Sequence, residues 1–119
     1  MSALSVLNQA VTALGTTYPV WLADFLATDE EGLLKLPDEP AQYVLNLIVD
    51  GPIHEWDTLK YRNVRVQLNA WSRTEGQPLA MLSAAETALL AAGFIPLDAR
   101  ALGRDGPYTG AAQDFERTA

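Results

Sequence analysis

An unbroken two-residue alternation in the middle of the chain limits the possible fold more than any other feature. Between residues 59 and 72, apolar side chains alternate with polar or aromatic ones. The apolar set is Val64, Val66, Leu68 and Ala70, and the other set includes Arg65, Gln67 and Asn69. Because successive side chains of a strand point to opposite faces of a sheet, this pattern predicts a strand with one core face and one polar face.

Two helices are predicted, one on each side of this strand in the sequence. Apolar residues recur at three- and four-residue steps between residues 2 and 14, with Ser2 as N-cap and Gly15 after the last turn. The expected core stripe of this helix is Leu4, Leu7, Val11 and Leu14. The second helix is predicted over residues 78–92, with Thr74 as a possible N-cap and Gly93 as its end. Its expected stripe includes Leu79, Leu82, Ala85 or Glu86, Leu89 and Ala92.

Further strands are predicted before and after the alternating one. Residues 42–50 are apolar on both faces, which favours a central strand that pairs with residues 59–72 through a loop over residues 51–58. Residues 18–21 suggest a short strand or extended entry, and Leu22, Phe25 and Leu26 a helical turn. A strand from residue 94 toward 102, a turn at residues 103–107 and a last strand at 113–118 complete the order. The predicted fold class is α+β, with two helices on one face of a mostly antiparallel sheet.

Composition limits the classes of function. The 119 residues suit a single domain, residues 1–119, and a net charge of −7 argues against nucleic acid as the main ligand. Cysteine is absent and His54 is the lone histidine, which removes thiol chemistry and cysteine-based metal sites. The longest apolar run has five residues, far short of the ~18 that a membrane helix needs, so no membrane role is expected.

No group of residues suggests catalysis, a metal or a cofactor. His54, Glu55 and Asp57 fall in a predicted turn without a second histidine, and the acidic residues 29–31 lack the spacing of a calcium loop. No serine has the context of a nucleophile. We therefore expect no catalytic residues, no cofactor-binding residues, no metal site and no enzyme activity.

The charge is divided unevenly along the chain, and its bases cluster on the best strand. Nine acids and one base give −8 for residues 1–57, whereas seven bases and six acids give +1 for residues 58–119. These halves are either two solvated surfaces or complementary contact surfaces between copies. Basic and aromatic residues on the strand could bind single-stranded nucleic acid, but a solvated face or a protein interface suits the net charge better. The candidate interface residues are Lys60, Tyr61, Arg62, Arg65, Trp71 and Arg73.

Four stretches of the chain together resemble one family of virus proteins. They are "PAQYVLNLIVDG", "YRNVRVQLNAWS", the alanine-rich "QPLAMLSAAETALLAAG" and the ending "RDGPYTGAAQDFERT". Their order after an N-terminal helix resembles the tail-terminator, or tail-to-head joining, proteins of long-tailed bacteriophages. The likeness covers residues 2–118 except the acidic stretch 18–39, which has no counterpart in the pattern.

The resemblance implies a structural virion protein that carries out no chemistry. Members of this family form six-fold rings that cap the growing tail tube, stop its elongation and join the tail to the head. The implied partners are further copies of the chain in a hexameric ring, the tail tube protein and the head-to-tail connector protein. The implied location is the virion, at the junction of tail and head, after assembly in the host cytoplasm. DNA would pass through the ring without specific binding.

Two alternatives stay open at the level of the sequence. One is a head-to-tail connector or neck subunit, which shares the size and the ring habit of the tail terminators. The other is a small α+β ligand-binding domain or enzyme, which a deep polar pocket with perturbed carboxylates would reveal.

Overall fold

Over the residues that the structure describes, the protein folds into a five-stranded sheet with two helices on one face and a separate β-hairpin. The computed structural model describes residues 3–28, 30, 35–50, 54–56, 59–61 and 63–118. The helices are α1 (Ala3–Leu14) and α2 (Gln77–Ala91), and a 3₁₀ turn covers Ala23–Phe25. The strands are β1 (Val20–Leu22), β2 (Ala41–Asp50), β3 (His54–Trp56), β4 (Leu59–Tyr61), β5 (Asn63–Ser72), β6 (Ile95–Asp105) and β7 (Tyr108–Thr118). The predicted α+β class is confirmed.

The sheet is antiparallel except at one edge. Its strand order is β1-β2-β5-β7-β6, and only the pairing of β1 with β2 is parallel. The long strands β2, β5 and β7 form the centre, and β3 pairs with β4 in the hairpin between β2 and β5. Because β6 and β1 are the outer strands, the two edges of the sheet differ: one strand has eleven residues and the other has three.

The core lies between the sheet and the helices, where the alternation of β5 placed it. Val64, Val66, Leu68 and Ala70 are fully buried beneath the helices, while the side chains between them point to the opposite face. The predicted register of β5 is therefore confirmed. Large side chains of α2 and β7, such as Met81 and Phe115, complete the packing.

Helix α1 packs three of its four predicted stripe residues against the core and is rotated away from the fourth. Val6 and Ala10 are fully buried, and Leu7, Val11 and Leu14 pack partly against them. Leu4, expected in the core stripe, is 59% exposed. The apolar side chains of α1 cover more than half of its circumference, so their spacing allowed several helix rotations, and packing on the sheet selected one.

Helix α2 begins at a glycine and turns its predicted stripe toward the core, except at Leu79. The N-cap is Gly76, with φ of 81°, and not Thr74, because the left-handed turn at Gly76 directs the chain into the first helical turn, which contains Pro78. The buried set is Pro78, Met81, Leu82, Ala85 and Leu89. Leu79, predicted to be in the core, is 59% exposed, since apolar residues stand on nearly every side of this helix.

Several predicted loops are strands. The expected loop over residues 51–58 contains β3, and the predicted long strand over residues 59–72 is described as two strands, β4 and β5. Strand β6 continues through Gly103 and Arg104 to Asp105, so the turn is confined to Gly106 and Pro107. The expected N-cap Ser2 lies outside the described residues. Both loops were predicted from glycine and proline. Within β-rich segments these residues occur at irregular strand pairing as well as at chain reversals.

Two side chains fix helix α2 to the sheet. The Tyr43 hydroxyl of β2 donates a hydrogen bond of 2.7 Å to the Met81 carbonyl. At the other end, Arg117 of β7 donates to the Ala92 carbonyl, just after the helix, and its guanidinium lies 5.6 Å from the centre of the Phe94 ring. A cation at a helix C-terminus is favourable because the last carbonyls carry partial negative charge.

Candidate functional site

The face of the sheet without helices is the most distinctive surface of the molecule, and we call it the open face. It consists of side chains that alternate with those of the core. Three of its cross-strand rows are Gln42–Trp71–Gly110–Leu102, Val44–Asn69–Ala112–Arg100 and Asn46–Gln67–Asp114. A fourth row contains Arg65, Glu116 and Ile95. The β5 side chains of this face are polar or aromatic and half-buried, whereas Gln42, Val44 and Ala112 on the neighbouring strands are buried.

The strap, which we define as residues 35–40, is fastened to one end of the open face by a buried tyrosine. The Tyr108 hydroxyl donates to the Pro37 carbonyl at 2.9 Å and accepts from the backbone N–H of Glu39 at 3.2 Å. The Gln42 side-chain amide donates to the same Pro37 carbonyl at 3.0 Å. These bonds satisfy backbone groups of a segment that forms neither a helix nor a strand.

Arg73, a predicted interface residue, lies at this fastening. Its guanidinium forms an ion pair with Asp38, donates to the Tyr108 hydroxyl at 3.3 Å and stands 5.4 Å from the centre of the Tyr108 ring. Hydrogen bonding to the Asp38 carboxylate and then to Tyr108 raises the pKa of Arg73 above its ordinary value. The exposed Arg73 therefore has partners within its own chain, which an intermolecular contact would have to share.

Trp71, another predicted interface residue, lies across the backbone of β7. A Cβ atom built on Gly110 would stand 2.5 Å from Cζ3 of the Trp71 ring, closer than real atoms approach. Gly110 is therefore required by the position of the indole. The ring stays half-buried, so part of it remains available at the surface.

Two polar atoms on the open face are buried without a hydrogen-bond partner among the described residues. They are Nε1 of Trp21 and Oε1 of Gln42. Buried polar atoms of folded proteins are bonded in the large majority of cases, to protein or to water. Both atoms lie toward the β1–β2 side of the sheet, where the described residues leave the hydrogen-bonding groups of the open face incompletely satisfied.

Charges on the open face stand opposite one another across strands. Arg65 on β5 is directly paired in register with Glu116 on β7, and Arg100 on β6 forms an ion pair with Asp114 at 3.5 Å. Opposite charges on neighbouring strands attract weakly at a solvated surface. The basic side chains of this face are therefore accompanied by carboxylates and do not form a purely basic stripe.

Two of the remaining predicted interface residues lie on the hairpin. Lys60 and Tyr61 belong to β4, in register with Glu55 and His54 of β3. Arg62 lies outside the described residues. The structure thus places Arg65 and Trp71 on one face of β5, with Arg73 just beyond its end and Lys60 and Tyr61 on the hairpin.

The other sequence candidates lie partly beyond the described ranges. His54 and Glu55 are on β3, whereas Asp57, Asp29 and Glu31 fall outside the described residues. Within the described ranges, no group of three or more potential ligands stands together as a metal site would require. In that same part of the chain, no helix is long and apolar enough to cross a membrane.

Two cavities lie beside the helices. One of about 350 Å³ is lined by residues of α1 together with Ala92 and Arg117. Another, of about 290 Å³, lies over Tyr43 between the end of α1 and the middle of α2. Their described linings contain no carboxylate, and Arg117 of the first already donates to a backbone carbonyl. Neither lining combines an acid, a base and a nucleophile.

Tyr108 is the functional side chain that sequence reasoning missed. No site role was predicted for it from the sequence, yet its hydroxyl fastens the strap to the open face. Its partners are 69 and 71 positions away along the chain, so local spacing held no signal for it. The one available hint was a lone tyrosine just after a Gly-Pro turn, at the start of a strand.

Comparison with known proteins adds no relative. The chain matches no protein-family model and no curated protein.

Proposed function

We propose that this chain is the ring-forming subunit that caps a bacteriophage tail tube, ends its elongation and joins the tail to the head. The observation that carries the proposal is where the family-like segments lie in the fold. "VRVQLNAWS" lies in β5, the alanine-rich segment contains α2, and the ending covers the last two residues of β6, the turn and β7. These segments adjoin one another in space, so the resemblance belongs to one structural unit of sheet and helix.

The surfaces of the molecule suit an assembly role better than a chemical one. On the open face, β5 presents half-buried polar, tryptophan and arginine side chains, and aromatic residues and arginine are enriched at protein interfaces. The outer strand β6 has a free edge along which no other strand of the sheet pairs. A subunit of a ring must offer two different surfaces to its neighbours and a third to the tube, and this fold offers several that differ in charge and polarity.

The charge supports passive passage of DNA. The chain carries −7 overall, and the arginines Arg65 and Arg100 of the open face stand opposite carboxylates. Tight phosphate contact requires clustered, unpaired Lys and Arg, because affinity arises from the release of counterions. A ring of such subunits would let DNA slide through its channel.

The test is deletion of the gene in a phage that encodes this chain, followed by electron microscopy of the particles. We expect heads filled with DNA, tails of uncontrolled length and few joined particles, with normal particles restored by the wild-type gene supplied in trans. Tails of normal length that attach to heads would overturn the proposal. Normal tails accompanied by heads that lose their DNA would instead assign the chain to the head-side connector.

A further inference from the structure

The larger of the two cavities beside the helices has a polar lining that carries a positive charge, and we call it the Arg117 cavity. Its volume of about 350 Å³ is that of a pocket for a small ligand. The residues that line it are Asn8, Gln9, Thr12, Ala13, Ala92 and Arg117. Asn8 and Thr12 are exposed, so the cavity opens to solvent along α1. Among these described lining residues Arg117 is the charged one, so an anion would meet no carboxylate there.

The guanidinium of Arg117 is held in one place by the chain around the end of α2. Its Nη1 donates a hydrogen bond of 2.5 Å to the Ala92 carbonyl, and its Cζ lies 5.6 Å from the centre of the Phe94 ring. A Cβ atom built on Gly93 would stand 3.5 Å from the same Cζ, which places the backbone of the turn close beside the group. A ligand that bonds to Arg117 therefore need not immobilise a free side chain, and this lowers the entropic cost of binding.

Hydrogen-bond donors reach the Arg117 cavity from two walls. A guanidinium has five N–H groups in a planar fork, and within the described residues the acceptor for Arg117 is the Ala92 carbonyl. On the α1 wall, the Thr12 hydroxyl donates to the backbone carbonyl of Asn8 at 3.0 Å and is turned toward its own helix. The exposed amide of Asn8 adds N–H donors on that wall. The cavity can therefore donate to one acceptor group from both sides.

Other arginines around the sheet form ion pairs with carboxylates, whereas Arg117 has no such partner among the described residues. The ion pairs are Arg73–Asp38, Arg100–Asp114 and Arg104–Glu75. Arg117 faces the partial negative charge of a helix C-terminus, which is smaller than the charge of an ion. A half-buried cation without a full counter-charge is stabilised by an anion. The net charge of −7 opposes anions at long range, but salt screens exposed charges beyond about 8 Å, so the charge at the cavity decides.

We propose that the Arg117 cavity binds a carboxylate through the planar fork of Arg117 and the amide of Asn8. A carboxylate fits the fork because its two oxygens accept two parallel N–H···O bonds, a geometry that a spherical anion such as chloride lacks. The carboxylate belongs to a small organic acid or to an acidic side chain of another protein, two sources with the same chemistry. This site does not depend on the proposed tail function.

Titrations followed by NMR test the site in the full-length chain. Succinate, a blocked aspartyl peptide, inorganic phosphate and sodium chloride are added in separate series of equal ionic strength at pH ~7. With succinate and with the peptide, we expect saturable shifts of the backbone amides of residues 8–13, 92–93 and 117, and with chloride none. Shifts that stay linear with concentration, or that chloride reproduces, would overturn the proposal.

An aspartate placed in the cavity wall tests the site without removing the arginine. Asn8→Asp sets a carboxylate of the chain itself beside Arg117, and the fold should tolerate it because Asn8 is exposed. Succinate should then bind at least about tenfold more weakly. Ser83→Asp is the matched control: it adds the same charge at an exposed position of α2 outside the lining, and binding should be unchanged. Unchanged binding in Asn8→Asp, or equal weakening in both variants, would overturn the site.

Two further comparisons identify what the fork recognises. Arg117→Lys keeps the charge but loses the planar fork, so the folded variant should bind succinate more weakly, and if it does not fold, Asn8→Asp decides. Tighter binding of succinate than of the aspartyl peptide supports the site and assigns it to a small organic acid. The reverse order supports the site and assigns it to an acidic side chain of a partner protein. Phosphate bound more tightly than both carboxylates would overturn the choice of a carboxylate.

Discussion

The two faces of the sheet are made by the same strands but are held in different ways. On the covered face, β5 contributes fully buried aliphatic side chains that pack beneath both helices. On the open face, the intervening side chains are half-buried, polar and bonded to one another, as Gln67 is to Asn69. Stability therefore arises mainly on one face, and the other is free to present polar and aromatic groups to partners.

We expect the largest loss of stability from a substitution that opens a cavity on the covered face. Leu68→Ala removes a fully buried side chain from the centre of the core, and we expect a loss of about 2–5 kcal/mol in the free energy of unfolding. Gln67→Ala, its neighbour on the open face, should cost at most about 1 kcal/mol, because a net side-chain hydrogen bond contributes little. Chemical denaturation measures both, and equal losses would contradict the division between the faces.

A buried phenol on the covered face should make stability depend on pH in the alkaline range. Burial, with a smaller effect of the Tyr18 phenol, raises the pKa of Tyr43 to about 12. Between pH ~10 and ~12 the unfolded tyrosine loses its proton while the folded one keeps it, so stability falls as pH rises. The contribution, present in full below pH ~10, amounts to about 2–3 kcal/mol.

The matching control for this dependence is Tyr43→Phe. The variant lacks the titrating hydroxyl, so its stability should fall less steeply than that of the wild type over the same alkaline range. The difference between the two denaturation midpoints, followed against pH, isolates Tyr43 from the other groups that titrate there. Parallel curves would mean that the phenol is not held neutral by the fold.

A methyl group on the open face tests whether close packing exists there too. Gly110→Ala would place its Cβ against the Trp71 ring, and the displacement of that ring should cost about 1–3 kcal/mol. Gly103→Ala, also on the β6–β7 hairpin, meets no atom within 4 Å and should change stability little. In a Trp71→Ala background the Gly110→Ala cost should largely disappear, and its persistence would show that the indole is not responsible.

The sequence predicted the fold correctly where the spacing of apolar residues was compatible with a single strand register or helix rotation. The alternation of β5 fixed its register, because a shift by one residue would expose Val66 and bury Arg65. Helices α1 and α2 were predicted with nearly correct ends but with Leu4 and Leu79 inward, because apolar residues stand on too many sides to select a rotation. Those leucines become visible as surface features only when the sheet is in place.

The candidate site was predictable only in part, for a related reason. Arg65 and Trp71 were assigned to the polar face of β5, and the structure places them there. The partners that surround them come from distant segments: Glu116 from β7, Gly110 from the β6–β7 hairpin and the strap from the acidic stretch. A single sequence carries no signal for which distant residues meet, so the contacts of the strap could not be inferred from spacing.

We expect the smallest loss of stability at the strap, the segment that covers one end of the open face. Tyr108→Phe removes one hydroxyl that donates to Pro37 and accepts from Glu39 and Arg73. Because the phenyl ring remains in place, only hydrogen bonds are lost, and we expect a decrease of about 1 kcal/mol in stability. The loss should be local, since the strap contributes few apolar side chains to the core.

Hydrogen exchange of the amides in residues 35–40 measures this effect where it occurs. In Tyr108→Phe these amides should exchange faster, while the amides of β5 and β7 keep their protection. Asp38→Asn is the control: it removes the exposed ion pair with Arg73 but leaves the tyrosine, and exposed pairs contribute little to stability. If Asp38→Asn releases the strap as much as Tyr108→Phe does, and salt has the same effect, then the ion pair holds the strap. If only Tyr108→Phe releases it, the buried hydroxyl is needed to hold the strap beside the Gln42 amide, and a few hydrogen bonds fasten the open face where an entire core stabilises the covered face.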